Sequence, residues 1–378
     1  MKKRIGVVFG GRSGEHEISI RSAKAVIENI DKDKYEVVPL AIGPAGNWLP
    51  PEQAAAMLPQ DIAELLPAGP LTGHDGPVAM IGDTRYKGVT AFAAPSAESF
   101  TTPIDVVFPV LHGTYGEDGT IQGLFEMADV AYVGCGVLAS ACGMDKVVMK
   151  TLFREAGLPI CNYVWFLRSE WEAGRETLVK RLESKMPYPC FVKPANLGSS
   201  VGVSMATDRV SLEAAIDVAC EYDRKIIIEE GLQMREIECA VLGNDRPEAS
   251  LPGEYLIRDP SKVFLDYTEK YAGTGNNEFV VPAPLSGELA KKIQQMAIAA
   301  FKAVDGSGLA RVDFFLRKDN GTLLVNEINT MPGLTDASGF PKMWAGSGKV
   351  FSEVIDRLIE LAIERHADRS RNKTSHEN

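Results

Sequence analysis

Oxygen-bearing side chains with two-residue spacing occupy two apolar segments in the last third of the chain. Arg311 and Asp313 lie in ARVDFF, and Glu327 and Asn329 lie in LLVNEINT. Side chains two residues apart in a strand point to the same face, so we expect two carboxylates and an amide oxygen to meet on neighbouring strands. Such an all-oxygen set suits Mg²⁺, which usually bridges carboxylates and substrate phosphates. The alternative is an ion pair between Arg311 and a carboxylate on an edge strand.

A lysine followed by a loop rich in glycine and serine is the second candidate feature. Lys193 ends a short apolar run, and the loop that follows carries Ser199 and Ser200 and reaches Gly202. Backbone N–H groups of such a loop can bind phosphate oxygens. The loop is not a Walker A motif, because GxxxxGK[ST] does not occur in the chain. A flexible surface turn is the alternative.

An acidic segment follows another apolar run, at the end of IIIEEGL. Glu229 and Glu230 there, with the backbone around Leu232, could bind an adenine amino group and a ribose, and Glu236 could accept a second hydroxyl. Carboxylates at a strand end suit this task because they accept hydrogen bonds from amino and hydroxyl groups. A solvated acidic turn is the alternative.

A glycine turn near the N-terminus opens a predicted helix. Glu15 in GGRSGEHE lies where open α/β sheets bind ligands, at the carboxyl end of a first strand, and could hold a substrate ammonium. An ordinary helix N-terminus with favourable acidic residues is the alternative. His112 ends a second strand at the same edge of the sheet. A structural turn histidine is the alternative for it.

The bulk composition excludes several classes of protein. The net charge of -11 argues against nucleic acid or an anionic membrane as a partner, because both attract a surplus of Lys and Arg. The six cysteines form no CxxC pair, which favours buried reduced thiols over a redox or zinc site. The sequence contains neither a signal peptide pattern nor an apolar run long enough to span a membrane. We therefore expect a cytoplasmic protein.

At 378 residues the chain is expected to form two or three domains. Apolar runs that alternate with amphipathic segments predict an open α/β sheet first and mixed units after it. The segment 43–103 has weak periodicity and is predicted to be an insertion, partly helical near 52–66. The predicted strands are 4–9, 36–42, 105–111, 163–167, 191–194, 225–229, 237–242, 310–316 and 322–328. The predicted helices are 19–30, 146–156, 170–185, 211–222, 286–304 and 350–364.

These segments, taken in order, resemble the D-alanine–D-alanine ligases of the ATP-grasp superfamily. The motifs that carry the resemblance are GGRSGEHEISI, LHGTYGEDGTIQG, MDK, FVKPANLGSSVGV, IIIEE, REIECAVLG, DYTEKY, RVDFF and NEINTMPGLTDASGFP. The resemblance implies an α/β protein of the α+β ATP-grasp class, with ATP between its last two domains. Its expected domains are an N-terminal open parallel α/β domain (1–143), a central small α+β domain (144–235) and a C-terminal α+β domain (236–378).

The resemblance also implies roles for individual residues. The ligands expected for Mg²⁺ or Mn²⁺, as two ions, are Asp313, Glu327 and Asn329. The residues expected at ATP are Lys146, Lys193, Ser200, Glu229, Glu230, Leu232, Glu236 and Asn326, of which the two lysines would bind phosphates. The residues expected around the amino acids are Glu15, His112, Ser199, Lys270, Tyr271, Arg311 and Ser338.

The implied reaction joins two D-alanine molecules through an acyl phosphate formed from ATP. The segment 259–277, which carries Lys270 and Tyr271, is expected to be a lid that excludes water. Its Glu269-Lys270-Tyr271 sequence resembles that of the dipeptide-forming ligases, as opposed to those that form D-Ala–D-lactate. The family also implies a homodimer. A non-catalytic nucleotide-binding module that senses amino acids remains a competing hypothesis.

Overall fold

The computed structural model describes residues 2–66, 78–92, 100–257 and 277–373. The first part of the chain alternates strands and helices, as the sequence predicts. In chain order its elements are β1 (Lys3–Gly10), α1 (His16–Asn29), β2 (Tyr35–Ile42), β3 (Trp48–Leu49), α2 (Pro51–Ala56), α3 (Gln60–Ala63), β4 (Val78–Met80), β5 (Gly88–Ala91), β6 (Phe100–Pro103), β7 (Val106–Pro109), α4 (Thr120–Met127), β8 (Ala131–Tyr132) and α5 (Val137–Met144).

The first sheet has the strand order β3-β2-β1-β7-β8. Its pairs are parallel except for the edge strand β3, which runs antiparallel to β2. The apolar runs of β1 and β7 are buried, as expected for parallel strands covered on both faces. The predicted insertion contains the expected helices α2 and α3. It also contains a small antiparallel sheet, β4-β5-β6, that its weak periodicity did not predict.

The middle of the chain forms a small antiparallel sheet with helices on both faces. Its elements are α6 (Lys146–Glu155), β9 (Tyr163–Leu167), α7 (Arg168–Ala173), α8 (Arg175–Glu183), β10 (Cys190–Pro194), β11 (Ser204–Ala206), α9 (Arg209–Tyr222) and β12 (Lys225–Glu230). The strand order is β11-β10-β12-β9. The single helix predicted for 170–185 is wrong, because Gly174 adopts an extended backbone and separates α7 from α8. Glycine loses more backbone freedom than other residues in a helix, which favours a break there.

The last part of the chain builds a larger antiparallel sheet. Its elements are β13 (Met234–Gly243), β14 (Glu248–Ala249), β15 (Gly253–Ile257), β16 (Asn277–Val280), α10 (Gly287–Ala303), β17 (Gly308–Arg317), β18 (Leu323–Asn329), α11 (Gly339–Gly346) and α12 (Phe351–Arg369). The strand order is β16-β15-β13-β17-β18, with β14 paired to β13. The helices α4, α5 and α11 were not predicted from the sequence.

Three of the four large apolar clusters among the described residues show how these units pack, and the fourth covers the other face of the first sheet. One cluster joins the first sheet and α1 to α11, α12 and residues of β13 and β17. A second lies between α6, α10 and the last sheet, and a third belongs to the middle unit alone. The middle unit contacts the last sheet through a small apolar cluster that contains Cys161, Leu232 and Leu324. Another small cluster, of Val147, Ala195 and Ile227, joins α6 to the middle sheet. We keep the boundaries 1–143, 144–235 and 236–378 as a proposal, in which α6 packs against the unit that follows it.

Two further predictions concern the lid segment and the state of the cysteines. The predicted lid, with Lys270 and Tyr271, lies outside the described residues apart from its last residue, Asn277. The six cysteines are free, four of them buried and two partly buried, as expected for reduced thiols. In the described ranges, no helix combines the length and the apolar character that crossing a membrane requires.

Candidate active site

One cleft, between the middle sheet, the last sheet and the carboxyl edge of the first sheet, collects the predicted site residues. Every predicted residue that the structure describes lines it: Glu15, His112, Lys146, Lys193, Ser199, Ser200, Glu229, Glu230, Leu232, Glu236, Arg311, Asp313, Asn326, Glu327, Asn329 and Ser338. Lys270 and Tyr271 lie outside the described residues. The cleft therefore brings together segments that are up to 320 residues apart in sequence.

The antiparallel pair β17–β18 arranges the predicted metal ligands. In its register, Arg311 faces Asn329 and Asp313 faces Glu327, with an irregularity directly after Asp313. The guanidinium of Arg311 donates from Nε and Nη2 to the two carboxylate oxygens of Asp313, both at 2.7 Å. The side-chain amide of Asn329 donates to Asp313 Oδ2 at 3.1 Å. The ion pair between Arg311 and a carboxylate, which was the alternative, is therefore present, and its partner is Asp313, one of the proposed metal ligands.

The donor set on these strands fits a hard divalent cation. Asp313, Glu327 and Asn329 present carboxylate and amide oxygens to the same cleft, without sulfur or imidazole donors among the three. Mg²⁺ and Mn²⁺ prefer such oxygens, whereas Zn²⁺ in structural sites prefers Cys and His. Among the described residues, no group of three or more His, Cys, Asp and Glu side chains could hold a metal ion, which excludes a classical zinc cluster there.

The glycine turn after β1 places Glu15 at the edge of the cleft. Gly10 has φ 86°, and a Cβ there would lie 2.3 Å from the carbonyl oxygen of Ile42, so only glycine fits. Ser19 is fully buried behind the turn, where its hydroxyl accepts from the Gly10 N–H at 2.8 Å and donates to the Val110 carbonyl at 2.6 Å. These bonds hold the ends of β1 and β7 side by side.

Glu15 bridges the first unit to the loop of the middle unit. The Ser199 hydroxyl donates to Glu15 Oε1. Burial raises the pKa of Glu15, and the Ser199 hydrogen bond and the charge of Arg311 oppose that rise. An anionic side chain in this position can bind an ammonium group. The positive charge of that group would offset part of the free-energy cost of burying the carboxylate.

Glu117 is a second carboxyl in the same corner, and sequence reasoning gave it no role. It lines the cleft, and its Oε2 accepts from the Gly113 N–H at 2.7 Å. Burial, followed by the charge of Glu15, raises the pKa of Glu117 to about 8. Glu117 lies in the segment LHGTYGEDG, which follows a strand predicted to end at the ligand-binding edge of the first sheet. That position in the sequence could have indicated a role for Glu117.

His112 lies in the wall of the cleft with both ring nitrogens engaged. Nδ1 is 3.2 Å from the Met331 carbonyl, which can only accept, and Nε2 is 2.9 Å from the Ser22 hydroxyl. The neutral tautomer that donates from Nδ1 and accepts at Nε2 satisfies both contacts. Burial lowers the pKa of His112 to about 4, which keeps it neutral at pH 7. These contacts support a structural role for His112. The residue also lines the same cleft as Glu15, where the first amino acid is expected.

Lys146 reaches the cleft from the first position of α6. Asp145 caps this helix by accepting from the backbone N–H groups of Val147 at 3.0 Å and Val148 at 3.2 Å, and it also pairs with Lys225. The Lys146 ammonium donates to the Leu197 carbonyl in the glycine- and serine-rich loop at 2.5 Å. The cap therefore fixes where Lys146 enters the cleft, and the lysine in turn contacts the loop.

Lys193 forms part of a chain of three charges. Its ammonium lies 2.6 Å from Glu229 Oε2, and the ammonium of Lys150 lies 2.9 Å from Glu229 Oε1. Burial alone would raise the pKa of Glu229, but the charges of Lys150 and Lys193 lower it well below its ordinary range. Lys150 was not predicted as a site residue. The predicted contact of Glu229 with adenine stays a prediction.

The remaining predicted nucleotide residues occupy the far end of the cleft. Glu230 accepts from the backbone N–H of Asn162 at 2.8 Å and from its side-chain amide at 3.2 Å, so its carboxylate is held at the strand end. Leu232 is buried beside it, in the small cluster between the two sheets. Glu236, on β13, and Asn326, on β18, line the same cleft. An apolar wall with a few polar groups suits a base and a ribose.

Ser338 lies at the opposite end of the cleft, at the N-terminus of α11. It is buried, and its hydroxyl is 2.7 Å from that of Thr335. Gly333, in the segment between β18 and α11, lines the cleft beside it. A helix N-terminus presents backbone N–H groups and a partial positive charge, which suit a carboxylate. The predicted role of Ser338 at the second substrate stays a prediction.

Comparison with known families decides what this cleft belongs to. The family described as "D-ala D-ala ligase C-terminus" matches residues 152–360, and the one described as "D-ala D-ala ligase N-terminus" matches residues 4–135. The chain belongs to the D-alanine–D-alanine ligase family. The resemblance stated from its motifs is therefore confirmed, and so is the ATP-grasp fold class.

Family members align with the chain over nearly its whole length. The D-alanine–D-alanine ligase of Heliobacterium modesticaldum is 46% identical over 374 residues, covering 99% of this chain and 98% of its own. That of Geobacillus thermodenitrificans is 48% identical over 369 residues, covering 98% of each. The two matched family segments together contain every predicted site residue that the structure describes, except Lys146.

Two solved structures have the same architecture. The D-alanine-D-alanine ligase from Coxiella burnetii superposes with a TM-score of 0.80 at 37% identity, covering 98% of this chain and 96% of its own. The VanG D-Ala:D-Ser ligase from Enterococcus faecalis superposes with a TM-score of 0.81 at 34% identity, covering 96% and 100%. The fold alone therefore does not choose between a second D-alanine and another second substrate.

Proposed function

We propose that the chain is an ATP-dependent ligase that joins two D-alanine molecules into D-Ala-D-Ala for peptidoglycan precursors. The observation that carries this proposal is the joining of two kinds of site in one cleft. Glu15 and Ser199, which suit an amino acid's ammonium, open onto the cleft that holds Lys146, Lys193 and the acidic strands. A non-catalytic binding module has no evident need for Arg311 and the metal-binding oxygens beside its nucleotide.

The arrangement suits transfer of the γ-phosphoryl group of ATP to a carboxylate. A carboxylate is a poor electrophile, and its acyl phosphate is a good one. Mg²⁺ or Mn²⁺, as two ions held by Asp313, Glu327 and Asn329, would neutralise phosphate charge. Lys146 and Lys193 bind phosphate oxygens, and Arg311 lies where it can stabilise charge on the carboxyl that reacts.

In the second step the free amine of the second amino acid attacks the acyl carbon of the acyl phosphate. The C–N bond forms, the C–O bond to the phosphate breaks, inorganic phosphate leaves and the amine gives up a proton. The carboxylate of the second amino acid is held near Ser338, and the N–H groups around Gly333 and the Arg311 guanidinium stabilise the tetrahedral oxyanion. In this proposal Lys270 and Tyr271 close the site against water, because an acyl phosphate hydrolyses. The enzyme acts as a homodimer in the cytoplasm, where ATP is available.

The proposal is tested by ADP release that depends on D-alanine and Mg²⁺, with the product identified by mass spectrometry. We expect a dipeptide product, and little ADP with L-alanine. Reactions that also contain D-serine or D-lactate, run from pH 6 to 9, determine the second substrate. Absence of ADP release in response to D-alanine would refute the ligase. Preferential formation of D-Ala–D-lactate at neutral pH would refute the dipeptide assignment.

Two arginines on β17 provide a matched pair of variants. Arg311 and Arg317 each hold an aspartate two residues on through Nε and Nη2, but Arg311 lies in the cleft and Arg317 does not. We expect Arg311→Ala to lose at least ~100-fold in turnover with the fold retained. Arg317→Ala should keep near-normal rates. Equal effects in the two variants would remove Arg311 from the mechanism.

A further inference from the structure

Lys150 is a buried cation that the proposed reaction does not use. It lies one helical turn after Lys146 on α6, and its side chain is 1% exposed. Its ammonium lies 2.9 Å from Glu229 Oε1, donates to the Asn326 carbonyl at 3.1 Å, and is 3.5 Å from Cys161 Sγ. It therefore contacts the middle sheet, the last sheet and the segment that joins α6 to β9 at one point.

Glu229 connects this buried cation to the cleft. Its side chain is 3% exposed, and its second oxygen contacts Lys193, whose side chain is 16% exposed. The three side chains carry two positive charges and one negative charge. Lys150 neutralises Glu229 from the protein side, so the positive charge of Lys193 remains effective toward the cleft.

We propose that Lys150 is a positioning residue for nucleotide binding: it acts as the counter-ion behind Glu229, and so leaves Lys193 free to bind the phosphates. Without Lys150, Glu229 and Lys193 form a neutral pair. The net charge of the group falls from one positive charge to zero, and Lys193 is held to the carboxylate.

The contact with the Asn326 carbonyl extends this role to the last sheet. Asn326 directly precedes Glu327, one of the proposed metal ligands on β18. Lys150 thus contacts the strand that carries the metal site as well as the carboxylate that holds Lys193. Buried ion pairs contribute little net stability compared with apolar side chains of similar size, and the other buried positions of α6 are the apolar residues Val147, Met149 and Phe153. An apolar side chain could therefore satisfy packing alone.

The inference rests on the proposed function only in that the cleft binds a nucleotide. We therefore test it by binding of ATP with Mg²⁺, measured by calorimetry without D-alanine, and by the KM values for ATP and for D-alanine. Failure of D-alanine-dependent turnover in the unaltered protein would refute the ligase and would leave the calorimetric comparison valid.

Three variants isolate the charge effect. Lys150→Met keeps the length of the side chain and removes its charge. Lys150→Met combined with Glu229→Gln removes both charges and restores one net positive charge at Lys193. Arg154→Met removes a cation one turn further along α6, where Arg154 is exposed and lies over the Tyr163 ring, so it is the matched control.

We expect Lys150→Met to weaken ATP binding by about tenfold or more, since a charge-assisted contact to phosphate is weakened. The KM for D-alanine should change less than about twofold. The double variant should recover most of the ATP affinity lost in Lys150→Met, because glutamine keeps an acceptor oxygen for the adenine contact predicted at position 229. Arg154→Met should bind ATP as the unaltered protein does. A purely structural role would instead lower both affinities together, without recovery in the double variant, and that result would overturn the proposal.

A Lys150→Met protein that does not fold leaves the proposal testable. In that case ATP binding is compared between Glu229→Gln and the double variant. With Glu229 neutral, Lys150 has no charge to offset, so we expect the two to agree within about twofold. A further tenfold loss in the double variant would show that Lys150 acts independently of Glu229 and would overturn the proposal.

Discussion

The two carboxyl groups at the amino-acid end of the cleft predict a pH dependence of stability. Burial and the neighbouring charge of Glu15 raise the pKa of Glu117 from 4.5 to about 8, while Arg311 opposes this and Glu327 adds to it. The folded protein therefore keeps a proton on Glu117 that the unfolded chain releases. Stability that depends on this proton is fully present below pH 4.5 and is lost as the pH rises to about 8.

The variant Glu117→Gln removes this dependence. Glutamine resembles the protonated acid, and its amide oxygen can still accept from the Gly113 N–H. A pKa shift from 4.5 to about 8 corresponds to at most ~5 kcal/mol, at about 1.4 kcal/mol per unit. Because the carboxyl faces the cleft, solvent screens it, and we expect roughly 2 kcal/mol to be realised.

Urea unfolding followed by circular dichroism from pH 5 to 9 measures this difference. The free energy of unfolding of Glu117→Gln, relative to that of the unaltered protein, should rise through this range up to pH 8 and stay level above it. Glu17→Gln, at an exposed carboxyl on α1, is the control for loss of one surface charge, and it should stay within ~0.5 kcal/mol. A difference for Glu117→Gln that does not vary with pH would show that Glu117 is ionised in the folded protein and would refute the argument.

Two further variants test the elements around the nucleotide. Glu327→Gln should lower turnover at least ~100-fold and raise the Mg²⁺ concentration needed for activity, because it removes an anionic ligand; an unchanged Mg²⁺ titration would remove Glu327 from the metal site. Asp145→Ala should cost ~1–2 kcal/mol in unfolding free energy through loss of the α6 cap, whereas Asp145→Asn, which keeps an acceptor oxygen, should lose less. Equal unfolding midpoints for Asp145→Ala and the unaltered protein would contradict the capping role.

Much of the fold could be predicted because its strands are continuous apolar runs. The strand at Tyr163–Leu167 has the predicted bounds, and the register that pairs Asp313 with Glu327 follows from alternation along β17 and β18. The family and its fold class, predicted from nine motifs in order, are confirmed by the family matches. Local patterns thus determined the strands, and the order of the motifs determined the architecture.

Short elements stabilised by distant contacts were not predictable in the same way. The strands β4, β5 and β6 are three or four residues long, and the apolar side chains of β4 and β5 pack in one cluster with residues of β2, α4 and β8. The helix α11 begins in a segment rich in glycine and proline, and its buried Phe340 and Trp344 pack in the cluster that joins the first and last sheets. Tertiary packing, more than local propensity, stabilises such elements.

The active site, like the fold, could be predicted only in part from the sequence. The cleft contains every described residue that the motifs identified, although the individual roles stay predictions. Lys150 was missed because a lysine one turn after Lys146 looks like an ordinary surface residue of a helix. A signal was available, since Lys150 shares the buried face of α6 with Val147 and Phe153. A charged residue on the apolar face of a helix indicates a buried partner, which here is Glu229.

The apolar cluster shared by the first and last units has a consequence for how the protein works. Phe9, Leu242 and Leu358 belong to this one cluster, so relative movement of those two units would expose apolar surface to water.

The middle sheet with α7, α8 and α9 has its own core, whereas α6 packs in the large cluster of the last unit. That sheet and its three helices contact the rest of the protein through small clusters and polar contacts such as Glu15 with Ser199. We expect nucleotide exchange to occur by rotation of this sheet and its three helices, with α6 staying on the last unit. Glu15, His112 and the proposed metal-binding strands would then stay in place from one catalytic cycle to the next, while Ser199 moves away from Glu15 and returns to it.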